Sequence, residues 1–405
     1  MRDLSRPRFL DATSPPHIVT LTALAGVSAL TMNIHLPSLP GMAAYFGVDY
    51  RVMQLSVALF LAGSAALQLL IGPISDRYGR RPVLLWSLTI FLLATLGCIF
   101  APTAQMFLAF RMLQAVVAAG MVLSRAVVRD MVPADQAASM IAYVTMGMSL
   151  IPMLAPALGG ILDAAFGWRA NFWLLFVLGG GLTWLLWRDL GETAAPREGG
   201  LAAQFREYPA LIASPRFWGY AAAAMFTSGA FFAYLGGAPF VGSEIYHLDP
   251  ARLGLLFGAA ALGYLFGNGV SGRYAARYGI DRMIFWGTII GTLSLAASLI
   301  LHLVGFANPI VFFGCMVPLG FGNGLVMPNA TAGMLSVRPR LAGSASGLGG
   351  ALMIGGGAAQ SAYAGTLLSI DSGAAPLIAL MLASSALSLV AIMLVLRRNK
   401  RFGGR

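Results

Sequence analysis

The chain has 405 residues, of which 58% are apolar and only 10% carry a charged side chain. Soluble globular proteins carry about 25% charged residues, so a water-soluble fold could not bury this much apolar surface. About twelve membrane spans of roughly twenty residues, with short loops, use up this length and leave no room for a separate catalytic domain.

Apolar runs of spanning length follow one another along the chain in two groups of six. They begin near Ile18, Val52, Val83, Met106, Ala137 and Phe172, and then near Trp218, Leu253, Met283, Pro309, Leu341 and Pro376. The polar stretch from Arg188 to Pro215 separates the groups. We therefore predict an all-α membrane protein of twelve transmembrane helices. An N-terminal bundle covers residues 1–187, a cytoplasmic linker 188–215 and a C-terminal bundle 216–405.

The net charge of +11 suggests a nucleic-acid-binding protein until the basic residues are placed along the chain. Only Arg51, Arg169 and Arg252 fall on one side of the predicted membrane, while Arg111 and Arg125 fall within a span and all the others lie on the opposite side. This asymmetry is the positive-inside pattern of a membrane protein, so nucleic acid is not needed to explain the charge. We predict a bacterial inner-membrane protein with both termini in the cytoplasm and the first span uncleaved.

Cysteines and histidines offer no catalytic or metal-binding pattern. Cys98 and Cys315 both lie in apolar runs, which suits neither a disulfide in a loop nor a metal site. The four histidines are not grouped with cysteines or acids. We therefore predict no cofactor, no metal and no membrane-embedded enzyme site.

The two groups of spans resemble each other in sequence. The segment DRYGRRPVLLW from Asp76 to Trp86 aligns with ARYGIDRMIFW from Ala276 to Trp286, and Gly72 aligns with Gly272. A repeat of this kind predicts a duplicated six-helix unit. Parallel repeats of six spans pack around a cavity near the middle of the membrane in one large class of transporters.

The most specific motif is GPISDRYGRRP, which follows the second span from Gly72 to Pro82. Gly72 lets two helices approach closely, and Asp76 either caps a helix or pairs with an arginine. Arg80 and Arg81 hold the loop at the anionic face of the membrane. The motif resembles the signature of the major facilitator superfamily, in which this loop latches one end state of transport. The resemblance implies a latch formed by Gly72, Asp76, Arg77, Gly79, Arg80, Arg81, Arg129 and Asp130. Arginines that only set the topology are the alternative.

Further segments narrow the resemblance to one branch of that superfamily. They are RMLQAVVAAGMVLSRAVVRD, PMLAPALGG, FGWRANFW, AYLGGAPF, VMPNATAG and AGSASGLGG. Together they resemble the bicyclomycin and chloramphenicol resistance (Bcr/CflA) drug/proton antiporters, from about Thr31 to about Leu396. The resemblance implies outward transport of small organic molecules.

The segment PMLAPALGG combines two prolines with two glycines. Pro152 and Pro156 each remove a backbone hydrogen bond, which predicts a bend, while Gly159 and Gly160 permit tight helix contact. In antiporters of the superfamily this segment is associated with exchange. Ala155 stands where the glycine before the second proline is usual.

The first span departs from the branch at two positions. Asn33 and His35 stand where its members have an acidic residue and a tyrosine, so the usual proton carrier is absent. His35 is a candidate replacement, since an imidazole exchanges a proton near neutral pH; a neutral, hydrogen-bonded histidine near the outer end of the span is the alternative. Asn33 either lines the cavity or makes a polar contact between helices.

The fourth span carries Arg111 and Gln114 in its RMLQ segment. A charge inside the membrane is costly and usually functional, so both residues are candidates for coupling or substrate binding. Arg125 follows fourteen residues later, about 21 Å along a continuous helix and within about 40° of the same face. For Arg125, an anchor at the inner end of the span is the favoured interpretation.

A drug-sized ligand needs an apolar pocket with a few polar groups. The candidates are Phe232, Tyr234, Asn323, Asn329 and Gln360, although packing against lipid or core explains each aromatic residue equally well. We predict a monomeric exporter of an antibiotic or metabolite, working by alternating access and coupled to protons. A dedicated metabolite exporter, a facilitated or exchange transporter without proton coupling, and a receptor on the same scaffold are the alternatives.

Overall fold

A computed structural model describes residues 9–11, 16–131, 151–193, 208–338 and 342–402. In these ranges the chain forms helices and no strand. The helices are α1 (Ile18–Asn33), α2 (Leu39–Phe46), α3 (Tyr50–Tyr78), α4 (Arg80–Ile99), α5 (Ala104–Gln114), α6 (Ala118–Met131), α7 (Ile151–Phe166), α8 (Arg169–Asp189), α9 (Tyr208–Ile212), α10 (Pro215–Phe240), α11 (Pro250–Phe257), α12 (Ala259–Tyr278), α13 (Ile280–Leu303), α14 (Pro309–Val337), α15 (Ala342–Leu367) and α16 (Ala375–Phe402).

Ten stretches of the described residues are long and apolar enough to cross a membrane. The helices α7 and α15 occupy the fifth and eleventh places in the predicted order. The chain is therefore a multi-pass membrane protein, and the predicted all-α fold is confirmed. The predicted runs that start at Ala137 and Leu341 begin outside the described residues.

Helix starts lie up to three residues before the predicted apolar runs, and polar residues cap several of them. The side chain of Asp49 accepts a hydrogen bond from the backbone N–H of Arg51 at the start of α3. Ser214 caps α10 and Asn308 caps α14 in the same way. A polar cap replaces a missing backbone partner and so fixes where the helix begins.

Three of the predicted spans are interrupted. Short 3₁₀ segments at Leu36–Ser38 and Ala115–Val117 join α1 to α2 and α5 to α6, and Gly258 separates α11 from α12. The fourth span is therefore two helices, so the continuous-helix estimate of the angle between Arg111 and Arg125 does not apply.

We call α1–α8 the first half and α9–α16 the second half. The arginine face is the end of the bundle that carries Asp76–Arg81 and Ala276–Arg282, and the opposite face carries Tyr50 and Pro250. The halves meet where α3 packs on α15 and where α7 packs on α11. One continuous apolar core extends across both halves.

The carboxylate of Asp189 fixes the start of the chain to the end of the first half. This residue is fully buried at the end of α8. It accepts hydrogen bonds from the backbone N–H of Leu10 at 2.7 Å and of His17 at 2.8 Å, and from the Thr20 hydroxyl at 2.6 Å. The predicted linker at 188–215 overlaps the helices at both ends, since α8 continues to Asp189 and α10 begins at Pro215.

Candidate functional site

Arg80 is the centre of a charge cluster at the arginine face. Its side chain is 8% exposed and pairs with two carboxylates, Asp76 at 2.5 Å and Asp130 at 3.1 Å. The guanidinium also donates to the Ser75 hydroxyl and to the carbonyl oxygen of Gly72. A nearly buried arginine with two acids and two neutral acceptors holds the end of α3, the start of α4 and the end of α6 together.

Glu192 binds the first turn of α4. Its carboxylate accepts hydrogen bonds from the backbone N–H of Arg80 at 2.8 Å and of Arg81 at 3.3 Å. Gly79, which precedes this turn, has a φ of 96°, and a Cβ there would lie 2.3 Å from Oε2 of Glu192. Only glycine fits this position, because it accepts a positive φ and leaves room for the carboxylate. The acid also lies at the positive end of the α4 dipole.

Several predicted roles in this loop differ from the observed contacts. The close helix contact predicted for Gly72 is wrong here, since a Cβ there would meet nothing within 4 Å. The membrane-facing role predicted for Arg80 is also wrong, because its two acids draw the side chain inward. Arg77 lies over the ring of Tyr78 at 5.3 Å, and Arg81 donates to the carbonyl oxygen of Trp187 at 2.9 Å. The side chain of Arg129 lies outside the described part of the chain.

Arg111 is the centre of a second polar network, inside the first half. It is fully buried, and among the described residues no carboxylate contacts it. Its guanidinium donates to the Gln114 side-chain oxygen at 2.9 Å and to the Thr31 carbonyl oxygen at 2.8 Å, and it lies 4.3 Å from the Phe60 ring centre. Gln114 in turn donates to the Thr95 hydroxyl at 2.7 Å. The network joins the first four spans.

His35 belongs to this network. It is fully buried and lies between the end of α1 and the 3₁₀ segment that follows it. Nδ1 lies 3.4 Å from a guanidinium nitrogen of Arg111, and Nε2 lies 3.5 Å from the Ser56 hydroxyl. Because arginine only donates, Nδ1 must accept, so the histidine is neutral in this arrangement.

Asn33 is buried on α1, with 2% of its surface exposed. Its side-chain nitrogen donates to the Ala29 carbonyl oxygen at 2.7 Å, while Oδ1 has no hydrogen-bond partner among the described residues. The burial of Asn33 favours the expected polar contact within the helix bundle over the expected position in the wall of an open cavity.

The PMLAPALGG segment lies at the boundary between the halves on the opposite face. A Cβ on Gly160 would lie 2.1 Å from the Pro250 carbonyl oxygen, and one on Gly254 would lie 2.4 Å from the Pro156 carbonyl oxygen. The two contacts are reciprocal across α7 and α11. Gly159 makes the same kind of contact inside the first half, where a Cβ would overlap the Ile34 carbonyl oxygen. These approaches leave no room for a side chain.

Pro156 lies inside α7, where a proline removes a helical hydrogen bond, as the sequence predicts. The described range starts one residue before Pro152, so the turn that precedes Pro152 lies outside the described residues.

Hydrogen bonds join the halves where α3 packs on α15 and on α10, also at the opposite face. The Tyr50 hydroxyl donates to the Gly236 carbonyl oxygen at 2.6 Å, and Arg51 donates to the Leu368 carbonyl oxygen at 3.3 Å. Gln54 donates to the Ser361 carbonyl oxygen at 2.5 Å. Together with the α7–α11 glycine contacts, these bonds form what we call the seam.

The structure does not bring the predicted ligand-contact residues into one pocket. Tyr234 is fully buried in the second half, stacks on Phe257 at 4.7 Å and donates to its carbonyl oxygen, so it serves the core in this conformation. Asn329 is buried and donates to Ser271 and Leu325. Of the remaining three, Asn323 is buried on α14, while Phe232 packs against Gly357 and the half-buried Gln360 packs against Gly229, both where α10 meets α15.

Several residues of these sites give little signal in the sequence. Glu192 stands there only as part of a polar linker, although an acid just after the sixth span on the arginine-rich side is a candidate partner for Arg80. Tyr50 and Gln54 give no signal, because their partners are backbone atoms of the other half. Among the described residues, no three His, Cys, Asp or Glu side chains lie together as a metal site requires.

Comparison with known families decides what kind of protein carries these sites. Residues 21–362 match the sequence profile of the Major Facilitator Superfamily, which is most of the chain. The chain belongs to the major facilitator superfamily. It is therefore a membrane transporter of small substrates, and the Arg80 cluster lies in the loop that carries the superfamily signature.

Relatives with drug-resistance names support the predicted branch of the superfamily. An uncharacterized MFS-type transporter of Bacillus subtilis, YdgK, is 31% identical, over 82% of this chain and 84% of the relative. Multidrug resistance protein D of Escherichia coli is 28% identical, over 85% and 87%. A chloramphenicol resistance protein of Pseudomonas aeruginosa is 30% identical, over 73% and 72%. The predicted likeness to the bicyclomycin and chloramphenicol resistance branch is confirmed.

A solved structure shares the fold at low sequence identity. It is a bacterial homologue of the human lysosomal transporter Spinster, in an inward-facing and occupied conformation. The TM-score is 0.72 at 16% identity, and the match covers 95% of this chain and 96% of that chain. The likeness supports the superfamily fold of the chain.

Proposed function

We propose that this superfamily member is a secondary active exporter that moves small organic molecules out of a bacterium by alternating access. It works as a monomer in the inner membrane, with the arginine face and both termini in the cytoplasm. The resistance named for its relatives supports an antibiotic or a comparable metabolite as substrate. The positive-inside distribution of arginines supports the orientation.

The observation that carries this proposal is the contrast between the two faces. At the opposite face the seam joins the halves through Tyr50, Gln54 and the reciprocal Gly160 and Gly254 contacts. At the arginine face, the ion pairs of Arg80 with Asp76 and Asp130 and the bonds of Glu192 to α4 remain within the first half. A transporter closed on its outer side has this arrangement, and opening the seam while the arginine face closes gives the other end state.

The contact of His35 with Arg111 supports proton coupling through His35. Nδ1 accepts a hydrogen bond from the guanidinium, so a proton added there removes the acceptor and places a second positive charge 3.4 Å away. The two side chains must then separate, which disturbs the network that joins the first four spans. Protonation of His35 is in this way tied to the arrangement of the first half.

Transport without proton coupling is the second candidate. Both ring nitrogens of His35 lie near partners inside the protein, and the ring is fully buried in this conformation. A histidine held in this way can act as a neutral structural residue, in which case the transporter exchanges substrates or equilibrates one substrate across the membrane.

Flux into proteoliposomes tests the proposal and separates the candidates. Expression in a drug-sensitive bacterium, profiled against a compound panel, first supplies a substrate. We expect export to rise when a proton gradient is imposed and to lose this rise in His35→Gln. The control is His302→Gln, since His302 lies on the opposite face and bonds Tyr246. If none of the compounds that the cells resist shows flux, the proposed export is contradicted. If the rise with the proton gradient persists in His35→Gln, the role of His35 is contradicted.

A further inference from the structure

A groove runs between α13 and α16 from the arginine face toward the middle of the membrane. At the arginine face, Asp281 of α13 accepts a hydrogen bond from the Asn399 side chain of α16 at 2.7 Å. Deeper in the bundle, the hydroxyls of Thr292 and Ser385 lie 2.9 Å apart. Asp281 and Thr292 are separated by about 16 Å of helix. The two helices therefore lie side by side over this length, which leaves a groove between their outer surfaces.

Both helices turn an apolar stripe toward lipid along this groove. Their other faces pack inward, α13 on α14 and α16 on α10. The large exposed residues are three, four or seven positions apart, so on each helix they form one stripe. They are Trp286, Leu293 and Ile300 on α13, and Leu387, Val390 and Leu394 on α16. Acyl chains are as apolar as these side chains and are their natural neighbours in a bilayer.

Arg282 and Arg397 continue these stripes at the arginine face, and both are exposed. Arg282 precedes Trp286 by four residues, so it lies on the same face of α13. Arg397 follows Leu394 by three residues and lies on the same face of α16. The bond between the two helix ends holds both arginines at one level. Trp286 lies one turn deeper, where a tryptophan meets the boundary between headgroups and acyl chains.

Asp281, which adjoins Arg282 in the chain, is bonded to neutral donors. Its carboxylate accepts from the Tyr220 hydroxyl of α10 and from the Asn399 amide of α16, both at 2.7 Å. Among the residues that the structure describes, neither Arg282 nor Arg397 forms an ion pair. Their guanidinium groups are therefore available to an anion from outside the protein.

The corresponding end of the first half is satisfied by the protein itself. The sequence repeat equates α13 with α4, and α4 begins with its backbone N–H groups bonded to the Glu192 carboxylate. Arg81 of α4 donates to the Trp187 carbonyl oxygen of α8. The two arginines of the second-half groove have no such partner within the described ranges. This groove therefore differs from its counterpart in leaving its charges to the surroundings.

We propose that the groove between α13 and α16 binds an anionic phospholipid of the leaflet at the arginine face. Arg282 and Arg397 bond the phosphate, and the acyl chains lie along the two exposed stripes. A planar guanidinium fits two phosphate oxygens at once, and a headgroup with no ammonium leaves the phosphate charge uncompensated. A soluble acidic partner matches the arginines alone, whereas a phospholipid matches both the charges and the apolar stripes below them.

Quenching of Trp286 by brominated lipid measures this binding. The full-length protein is reconstituted in vesicles of phosphatidylethanolamine with an increasing share of phosphatidylglycerol, and the acyl chains of one lipid or the other carry bromine. The Trp286 signal is the difference between the wild type and Trp286→Phe, since this side chain is exposed beside the groove. The dependence of quenching on composition gives the affinity ratio of the two lipids. We expect phosphatidylglycerol to be favoured about tenfold.

Variants assign the preference to the groove. Arg282→Gln and Arg397→Gln should each lower the ratio about threefold, and the double variant should abolish the preference. Arg282→Lys should keep most of it because the charge remains. The matched control is Arg277→Gln, which removes the same charge from the same face on α12, where Arg277 lies over the Tyr278 ring at 5.4 Å. Its ratio should equal that of the wild type.

Each outcome decides the inference. A wild type that does not prefer phosphatidylglycerol overturns it, and so does an unchanged ratio in the double variant. An equal fall in Arg277→Gln overturns it as well, because the preference then comes from the overall charge of the face. Inorganic phosphate at constant ionic strength should leave the ratio unchanged; a fall assigns the arginines to a soluble anion and removes the lipid from the groove. The measurement needs no transport, so its result is independent of the proposed export.

Discussion

Replacing Gly365 with alanine adds one methyl group where α15 meets α3 in the seam. The new Cβ would lie 2.1 Å from Oε1 and 2.8 Å from Cδ of Gln54. Gln54 cannot move away freely, since it is buried and donates to the Ser361 carbonyl oxygen. Overpacking of this kind costs about 1–3 kcal/mol. We therefore expect the closed seam to lose roughly 5- to 150-fold in population relative to the open one.

Labelling of a buried reporter measures this change. Ser361 is fully buried beneath the seam, so Ser361→Cys supplies a thiol that reacts only when the seam opens. The background carries Cys98→Ala and Cys315→Ala, which remove the two natural thiols. The rate of maleimide labelling in detergent should rise with Gly365→Ala in proportion to the open population.

Two further variants make the test specific. Gly355→Ala on the same helix is the control, since its nearest neighbour would be the Ala65 Cβ at 3.9 Å, an ordinary contact. Gln54→Ala combined with Gly365→Ala removes the overlap, so their combined effect should be smaller than the sum of the single effects. An unchanged rate in Gly365→Ala, or an equal rise in Gly355→Ala, would refute the reasoning.

Two other predictions concern the arginine face. Asp76→Asn should abolish most transport while the protein still inserts, because Arg80 loses one of its two carboxylates and the latch fails. The measurement is substrate flux relative to the amount of protein in the membrane. Wild-type flux in this variant would contradict the role of Asp76. Glu192→Ala should lower the free energy of unfolding by about 0.5–2 kcal/mol, since the first turn of α4 loses its carboxylate cap. Thermal unfolding measures the loss, and an unchanged melting temperature would show that the cap is dispensable.

The helices could be predicted from the sequence because a membrane span must satisfy its backbone internally, which leaves a long apolar run as its signal. The apolar run expected near Val52 corresponds to the helix that begins at Tyr50. The run expected near Pro309 corresponds to the helix that begins at Pro309 itself. The break at Ala115–Val117 could not be predicted in this way, because Ala-Val-Val contains neither proline nor glycine.

The candidate sites were predictable where their partners are close in sequence. Asp76 and Arg80 are four residues apart across the junction of α3 and α4, and they form the expected pair of an acid with a neighbouring arginine. Glu192 is 112 positions from Arg80, so only the packing of α8 beside α4 brings them together. Tyr234 resembles a ligand contact by composition, but its stacking on Phe257 depends on how α10 meets α11.

The reciprocal contact of α7 with α11 has a consequence for leakage. At Gly160 and Gly254 a backbone carbonyl oxygen of one helix faces the Cα of the other, so no water molecule fits between them. Contacts of the Cα–H···O type contribute only about 0.5–1 kcal/mol each. In the proposed alternating-access cycle, this contact opens without breaking a charged pair and closes without trapping water. The proposed exporter can therefore change state without leaving a water path between α7 and α11.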